Sequence, residues 1–218
     1  MPVLLSVGLP PINALATNKV QGALGTLSSV WNFFRSGHLN LGEIRWSILL
    51  TLVGSICGTL LVERVGNELL VELIPLLLIA IAIYFLVSPR LLSGHSTARL
   101  SAPYFALLAA LPMGFYGGFF GPGTGSIFPF LFVVLAGIDL RKATAQTKVM
   151  VLTINGSSAV LFALHGHVMW ELALIMGAAQ AVGARLGSTL VIKQGAPLVQ
   201  PFIVTVTLLL AVKLLFFP

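Results

Sequence analysis

The chain is 218 residues long, 57% of them hydrophobic and only 8% charged, with a mean hydropathy of +1.03. A water-soluble domain carries about three times that charge, so composition alone excludes one. The 12 Lys and Arg outnumber the 6 Asp and Glu but fall singly between apolar runs, which also excludes the clustered basic groove that nucleic acid requires.

What remains is an all-α, polytopic integral membrane protein. Apolar stretches of the length a bilayer demands, about 17 to 25 residues, predict seven spans, near 14–36, 45–62, 69–88, 102–119, 143–164, 171–191 and 197–217. The opening MPVLLSVGL is too short for a span and lacks the basic start of a signal peptide. Cys57, the only cysteine, lies inside an apolar run, so neither an intrachain disulfide nor a CxxC metal cluster is available. Glu63, Glu68 and Glu72 predict an acidic loop between the second and third spans. From Ala102 to Gly137 the chain is apolar but interrupted by GFYGGFFGPGTGS, Gly114 to Ser126. Glycine is costly in a helix and Pro122 lacks a backbone donor, so a helix, a kinked break and a short segment over 126–136 are expected.

The sequence repeats itself. Shifting it by 129 residues lays GLPPINALATNKVQG, from Gly8, over GIDLRKATAQTKVMV, from Gly137, and the register holds without a gap to Leu69 over Leu198, with 17 of 62 positions identical. Lys19 then meets Lys148, Ser28 and Ser29 meet Ser157 and Ser158, Gly37 and His38 meet Gly166 and His167, and Gly54 and Gly58 meet Gly183 and Gly187. Apolar composition does not supply shared lysines and histidines. The first repeat covers 1–88, the second 102–218, and 89–101 is a cytoplasmic linker. The counterpart of the glycine-rich break falls before Met1, so the opening of the first copy is expected to be missing from this sequence. The favoured reading is a start upstream by roughly 30 residues or more, enough for one further membrane helix; truncation is the other.

Topology follows from loop charge. Arg35 and Arg45, Arg90 and Arg99, Arg141 and Lys142, and Lys193 mark four basic loops. All four are cytoplasmic only if the 102–119 helix and the short segment after the break both change sides. Each full repeat then has five membrane elements, an odd number, so the two copies are inverted. Inverted repeats with a broken helix recur among transporters, and the breaks mark the binding site.

The segments GFYGGFFGPGTGS, FPFLFVVLAGIDLRKATAQTK and PPINALATNKVQG together resemble the TauE/SafE family of sulfite and organosulfonate exporters, most nearly its branch of probable membrane transporters, and the resemblance spans essentially the whole chain. Family members carry a glycine-rich motif in each half, whereas this sequence has only the second. The resemblance implies transport of small sulfur-containing or carboxylate anions; spacing and periodicity do not show sulfur.

Two stretches are candidates for binding such an anion. A lysine at the centre of a span costs about 2.5 to 3.5 kcal/mol to insert, so Lys19 and Lys148 either face a wet interior or snorkel to the interface. Their pairing across the repeat, with polar neighbours Thr17 and Asn18 in one copy and Gln146 and Thr147 in the other, favours two ammonium groups presented to one site from opposite sides. The break is the second candidate. Gly123, Thr124, Gly125 and Ser126 open the short segment, where unpaired N–H groups and the positive end of its dipole would meet an anion. Close helix packing through Gly114, Gly117, Gly118 and Gly121 is the alternative, and it is the preferred reading for Gly54, Gly58, Gly183 and Gly187. The paired serines either line the pathway or bond back to their own helices. His38 and His167 are expected in loops, and Arg185 is expected to snorkel.

No HExxH, GxSxG or Walker sequence occurs, and no cofactor or metal site is expected. The resulting expectation is a multi-pass inner-membrane carrier that moves a small anion by alternating access. A non-transporting membrane subunit that binds a partner is the rival from another class, a channel is a third reading, and homo-oligomerisation is left open.

Overall fold

The computed structural model describes residues 4–5, 7–37, 39–87 and 100–194. His38, most of the 89–101 linker and the span expected at 197–217 lie outside the described residues. Six helices carry the fold: α1 (Pro11–Arg35), α2 (Arg45–Val87), α3 (Ala102–Phe119), α4 (Thr124–Ala136), α5 (Leu140–Leu164) and α6 (Trp170–Gln194). Among the described residues, four stretches are long and apolar enough to cross a membrane, namely Arg45–Val65, Ala102–Phe119, Leu140–Leu164 and Trp170–Lys193. Helix α1 is of similar length but more polar, because its first half carries Asn13, Thr17, Asn18, Lys19 and Gln21.

The repeat reappears in the geometry. Helices α1 and α5 are both 25 residues long, and adding 129 to the bounds of the first gives those of the second. Their starts differ in chemistry: Pro11 fixes φ at the first turn of α1, whereas the Asp139 side chain caps α5 by accepting from the N–H groups of Arg141 and Lys142 at 3.0 Å. Their ends match. Gly37 and Gly166 adopt φ of +73° and +74°, the left-handed conformation that closes a helix most cheaply at glycine.

Hydrogen bonds between elements fix the directions. Asn13 Nδ2 at the start of α1 donates to the His167 carbonyl just past α5, at 3.0 Å. At the opposite end, Lys142 near the start of α5 pairs with Glu43 just before α2, at 2.7 Å. Helices α1 and α5 are therefore antiparallel, and the two copies are inverted. Asn32 Nδ2 donates to the hydroxyls of Ser188 (2.8 Å) and Thr189 (2.9 Å), which sets α6 parallel to α1. The Leu100 N–H donates to the Leu135 carbonyl at 3.0 Å, so α3 and α4 form a hairpin that returns to the end from which it set out. The basic positions Arg35, Arg45, Arg141, Lys142 and Lys193 gather at that same end.

The acidic loop expected between two spans is a correction. Glu63 and Glu68 are helical, and α2 runs unbroken for 43 residues. The segment VERVGNELLVEL contains a single glycine and no proline, and Glu, Leu and Arg are good helix formers. Charge marks a boundary of hydropathy, not of helicity. Glu63 instead accepts a hydrogen bond from the Nδ1 of His165 at 2.9 Å. A second departure lies in α3, where residues Ala106–Ala110 form a π-helical turn. The ring of Pro112 crowds the carbonyl four residues before it, and the wider turn accommodates that ring without breaking the helix.

Polarity is arranged for lipid. Leu27, Trp31, Val160, Leu164, Ile175, Val182 and Leu186 are more than half exposed, while Ser47, Thr51, Ser55 and Thr59 are buried in one stripe along α2. Glycines bring that helix against α3. A Cβ at Gly54 would lie 2.3 Å from the Leu111 carbonyl oxygen and one at Gly58 2.1 Å from that of Phe115, while Gly114 and Gly118 make the reciprocal approach to Thr51 and Ser55. The packing role expected for Gly54 and Gly58 holds. A Cβ at Gly183 or Gly187, by contrast, would meet nothing within 4 Å among the described residues, so the packing role expected for this pair is not seen there.

The hairpin and the inversion give a labelling pattern. In a Cys57→Ser background, cysteines at Asn40 and Ser101 should react with an impermeant maleimide from one side of the membrane, and one at His165 from the other. Opposite accessibility of Asn40 and Ser101 would overturn this arrangement.

Candidate functional site

The break in the α3–α4 hairpin is tighter than its sequence suggests. Helix α3 continues through Gly114, Gly117 and Gly118 to Phe119, so only residues 120–123 leave helical geometry. Gly121 and Gly123 take φ of +98° and +85°, and Gly123 serves as the N-cap of α4. The turn is fastened from several directions. Tyr116 donates its hydroxyl to the Pro122 carbonyl at 2.5 Å, and the Gly121 carbonyl accepts from both the N–H (3.2 Å) and the hydroxyl (2.9 Å) of Thr124. Helix α4 has 13 residues, about 20 Å at 1.5 Å per residue. A hydrocarbon core is about 30 Å thick, so the break lies at membrane depth.

Lys19 comes to this break. It is buried to 2% exposure, and its ammonium donates to the carbonyl of Gly117. A Cβ on Gly121 would lie 2.9 Å from Lys19 Nζ, so glycine there serves both the backbone conformation and the approach of the lysine. Snorkelling does not describe Lys19. The four glycines of the motif therefore divide: Gly114 and Gly118 face α2 as packing surfaces, while Gly117 and Gly121 face inward, the former against Ile154 of α5 and the latter against Lys19.

The other expected site residues are distributed differently. Thr17 is fully buried, and its hydroxyl accepts from the Met169 N–H at 3.2 Å, which ties α1 to the start of α6. Asn18 is half-buried. Gln146 and Thr147 are buried on α5, and the Thr147 hydroxyl has no hydrogen-bond partner among the described residues, a property shared by the side-chain carbonyl of Gln21 on α1. Lys148 is half-buried and donates no hydrogen bond among the described residues. Each lysine lies eight residues into its helix, from Pro11 to Lys19 and from Leu140 to Lys148, or about 12 Å from opposite ends of an antiparallel pair about 37 Å long. The structure thus brings Lys19, Gly117 and Gly121 together, and it sets Lys148 about a dozen ångströms further along the membrane normal. At the start of α4, Thr124 is buried, Ser126 is half-buried, and Gly125 is exposed with nothing within 4 Å of its Cβ position.

Sequence reasoning passed over a polar seam. Ser158 bonds to Thr59 at 2.8 Å and to Ser55 at 3.3 Å, and Ser157 donates to Ser55 at 2.8 Å. On the opposite side of the pseudo-twofold, Ser29, the counterpart of Ser158, donates to the Ala184 carbonyl, the counterpart of Ser55, at 3.2 Å. Ser29, Ser157 and Ser158 join helices to each other, and Ser157 also bonds back to the Ile154 carbonyl of its own helix. Hydroxyls at positions 47, 51, 55 and 59 recur every fourth residue, a signal that was present in the sequence. Asn155 was also missed: its Nδ2 lies 2.6 Å from where a Cβ on Gly22 would be, so only a glycine admits that amide between α1 and α5. His167 is in a loop as expected, with its ring edge-on to Phe162.

Comparison with known proteins agrees with this architecture. The family model described as sulfite exporter TauE/SafE matches residues 1–214. Probable membrane transporter protein YfcA of Escherichia coli K12 is 41% identical over 216 residues, which is 99% of this chain and 80% of that protein. A probable membrane transporter protein of Haemophilus influenzae is 39% identical over 99% of this chain and 85% of its own length, and probable membrane transporter protein ORF9 of a Sinorhizobium species is 39% identical over 99% and 82%. No solved structure matches the chain.

The division of labour among glycines is testable by thermal unfolding in detergent. Gly121→Ala should destabilise the fold by about 1–2 kcal/mol from left-handed backbone alone, with the crowding of Lys19 added. Gly125→Ala, in a helix with open space around it, should be neutral or slightly stabilising. Equal melting of the two variants would mean that the break tolerates a side chain beside Lys19.

Proposed function

The chain belongs to the sulfite exporter TauE/SafE family of membrane proteins, and on that premise we propose that it is a secondary transporter of small anions. Sulfite, organosulfonates and related sulfur-containing or carboxylate anions are the substrate class, moved across the cytoplasmic (inner) membrane by alternating access. One observation carries this reading: a buried ammonium, Lys19, meets a helix break at membrane depth. An ammonium has three donors. The Gly117 carbonyl takes one, which leaves two for an oxyanion. The N-terminal end of α4, capped by glycine and not by an acidic side chain, adds the positive end of a helix dipole on the same break and the Gly125 N–H, those of Thr124 and Ser126 being bonded to the carbonyls of Gly121 and Gly123.

The inversion of the repeats supports the mechanism. Two copies of one unit running in opposite directions give two equivalent conformations, in which the site opens first to one side and then to the other when the copies exchange shape. Lys148 stands in the second copy where Lys19 stands in the first. With the buried, unpartnered Thr147 hydroxyl adjacent to it in sequence, it supplies the second cation for an anion between α1 and α5.

Solid-supported-membrane electrophysiology or radiolabel flux with sulfite, sulfoacetate, thiosulfate and simple carboxylates tests the substrate class. Saturable flux with counterflow is expected, and the absence of any response to all four would remove the anion reading. Lys148→Ala should cost about ten- to over a hundredfold in substrate affinity, since a hydrogen bond to a charged group contributes roughly 1.5–3 kcal/mol. It should leave folding intact, because it deletes the cost of inserting a charge into the membrane. Lys148→Arg should restore transport only in part, since a planar fork fits poorly where a compact ammonium serves. A snorkelling lysine predicts the reverse, with alanine neutral and arginine accepted. Flux at matched expression decides between them.

A further inference from the structure

The pseudo-twofold relates contacts as well as helices. Exchanging the two copies turns α1 into α5 and α2 into α6, so the packing of α1 on α6 is the counterpart of the packing of α5 on α2. Both pairs are present, with Ser29 on Ala184 in one and Ser158 on Ser55 in the other. One interface has no counterpart. Helix α3 lies on the Gly54 and Gly58 face of α2, whereas the equivalent face of α6 carries nothing among the described residues. Gly54 and Gly58 are buried; Gly183 and Gly187 are exposed and have no atom within 4 Å of a Cβ position.

We propose that the Gly183–Gly187 face of α6 is the seat of a membrane helix built like α3. Such a helix has small residues four apart, to lie flat against Gly183 and Gly187, and a glycine break that leaves a backbone carbonyl free. The face alone does not specify the occupant; Lys148 does. In the first copy the helix that covers Gly54 and Gly58 is also the one whose Gly117 carbonyl receives Lys19. In the second copy the covering helix and the acceptor for the lysine are lacking together, since Lys148 donates no hydrogen bond among the described residues. One helix with the chemistry of α3 satisfies both at once. A second copy of the chain pairing through its own α6 would cover the glycines but bring no carbonyl to Lys148.

A synthetic peptide of residues 102–126 carrying Gly114→Cys serves as the probe, with the full chain in detergent micelles and Cys57→Ser as background. The α2–α3 interface places Gly114 beside Thr51 and Gly54, so the peptide cysteine should form a disulfide with Gly183→Cys but not with Leu174→Cys, which is exposed on another side of α6. Excess cysteine-free peptide should compete, and a peptide bearing Gly118→Leu should compete at least tenfold less well. Lys148→Met in the chain should weaken capture by about tenfold or more, the loss expected for a charged hydrogen bond. Absence of the Gly183→Cys disulfide, or equal capture at Leu174→Cys, overturns the proposal. So does chain-to-chain disulfide formation at Gly183→Cys that peptide does not suppress, because the seat then belongs to a second copy. Capture that ignores Lys148→Met overturns the coupling of the seat to the lysine.

Discussion

A cation at membrane depth has to be paid for locally, and the pairing of Lys19 with the Gly117 carbonyl is where this fold does so. Hydrocarbon offers neither donor nor acceptor, so an isolated ammonium and an isolated carbonyl are each costly there. The helix break creates the acceptor, because the turn at residues 120–123 leaves the Gly117 carbonyl without its usual partner four residues on. Lysine then becomes tolerable at position 19 because α3 breaks, and the break becomes tolerable because lysine is there. Tyr116 and Thr124 fasten the rest of the turn through the Pro122 and Gly121 carbonyls, so little of its backbone is left to exposed lipid.

The glycines of α3 set the distance over which that pairing works. Gly114 and Gly118 let α3 approach the backbone of α2 until a single methyl group would not fit, and van der Waals contact of this kind is what holds helices together where water exclusion does not. With α3 fixed against α2, its other glycines face α1 and α5. Gly117 accepts the side chain of Ile154 and Gly121 accepts the end of Lys19. A four-residue period on one face packs the helix, and the same period offset by three residues opens the site. The hydroxyls of Thr51, Ser55 and Thr59 join the same interface to α5, with Thr51 and Thr59 donating to the carbonyls of Ala110 and Gly118 and Ser55 to that of Ile154.

Much of this was legible in the sequence, for identifiable reasons. Length and apolarity gave the spans at 45–62, 102–119, 143–164 and 171–191 because a bilayer imposes both, and the internal repeat gave the inversion because an odd number of elements reverses the second copy. Lys19 was legible because a charge inside an apolar run needs a reason. The continuous helix through Glu63 and Glu68 was not, since loops were placed by charge and nothing in hydropathy distinguishes a polar helical turn from a loop. Nor was the division among Gly114, Gly117, Gly118 and Gly121, which depends on which neighbour each meets. Thr17 looked like a site residue through its place beside Lys19, but successive helix positions point about 100° apart, and its hydroxyl faces the start of α6.

The two lysines are equivalent in sequence and unequal in structure, and the inequality bears on how an inverted pair works. Each sits about 12 Å in from the N-terminal end of its helix, so an antiparallel pair holds one cation nearer each surface with a polar middle between them. Asn155, Thr147 and Gln21 lie on the two helices that span that middle. Lys19 has the Gly117 carbonyl as its acceptor, whereas Lys148 donates no hydrogen bond among the described residues. The same side chain at the same place in each copy is thus held by a break in a neighbouring helix in one copy and by none of the described helices in the other, so the inequality lies in what surrounds the lysines and not in their positions along α1 and α5.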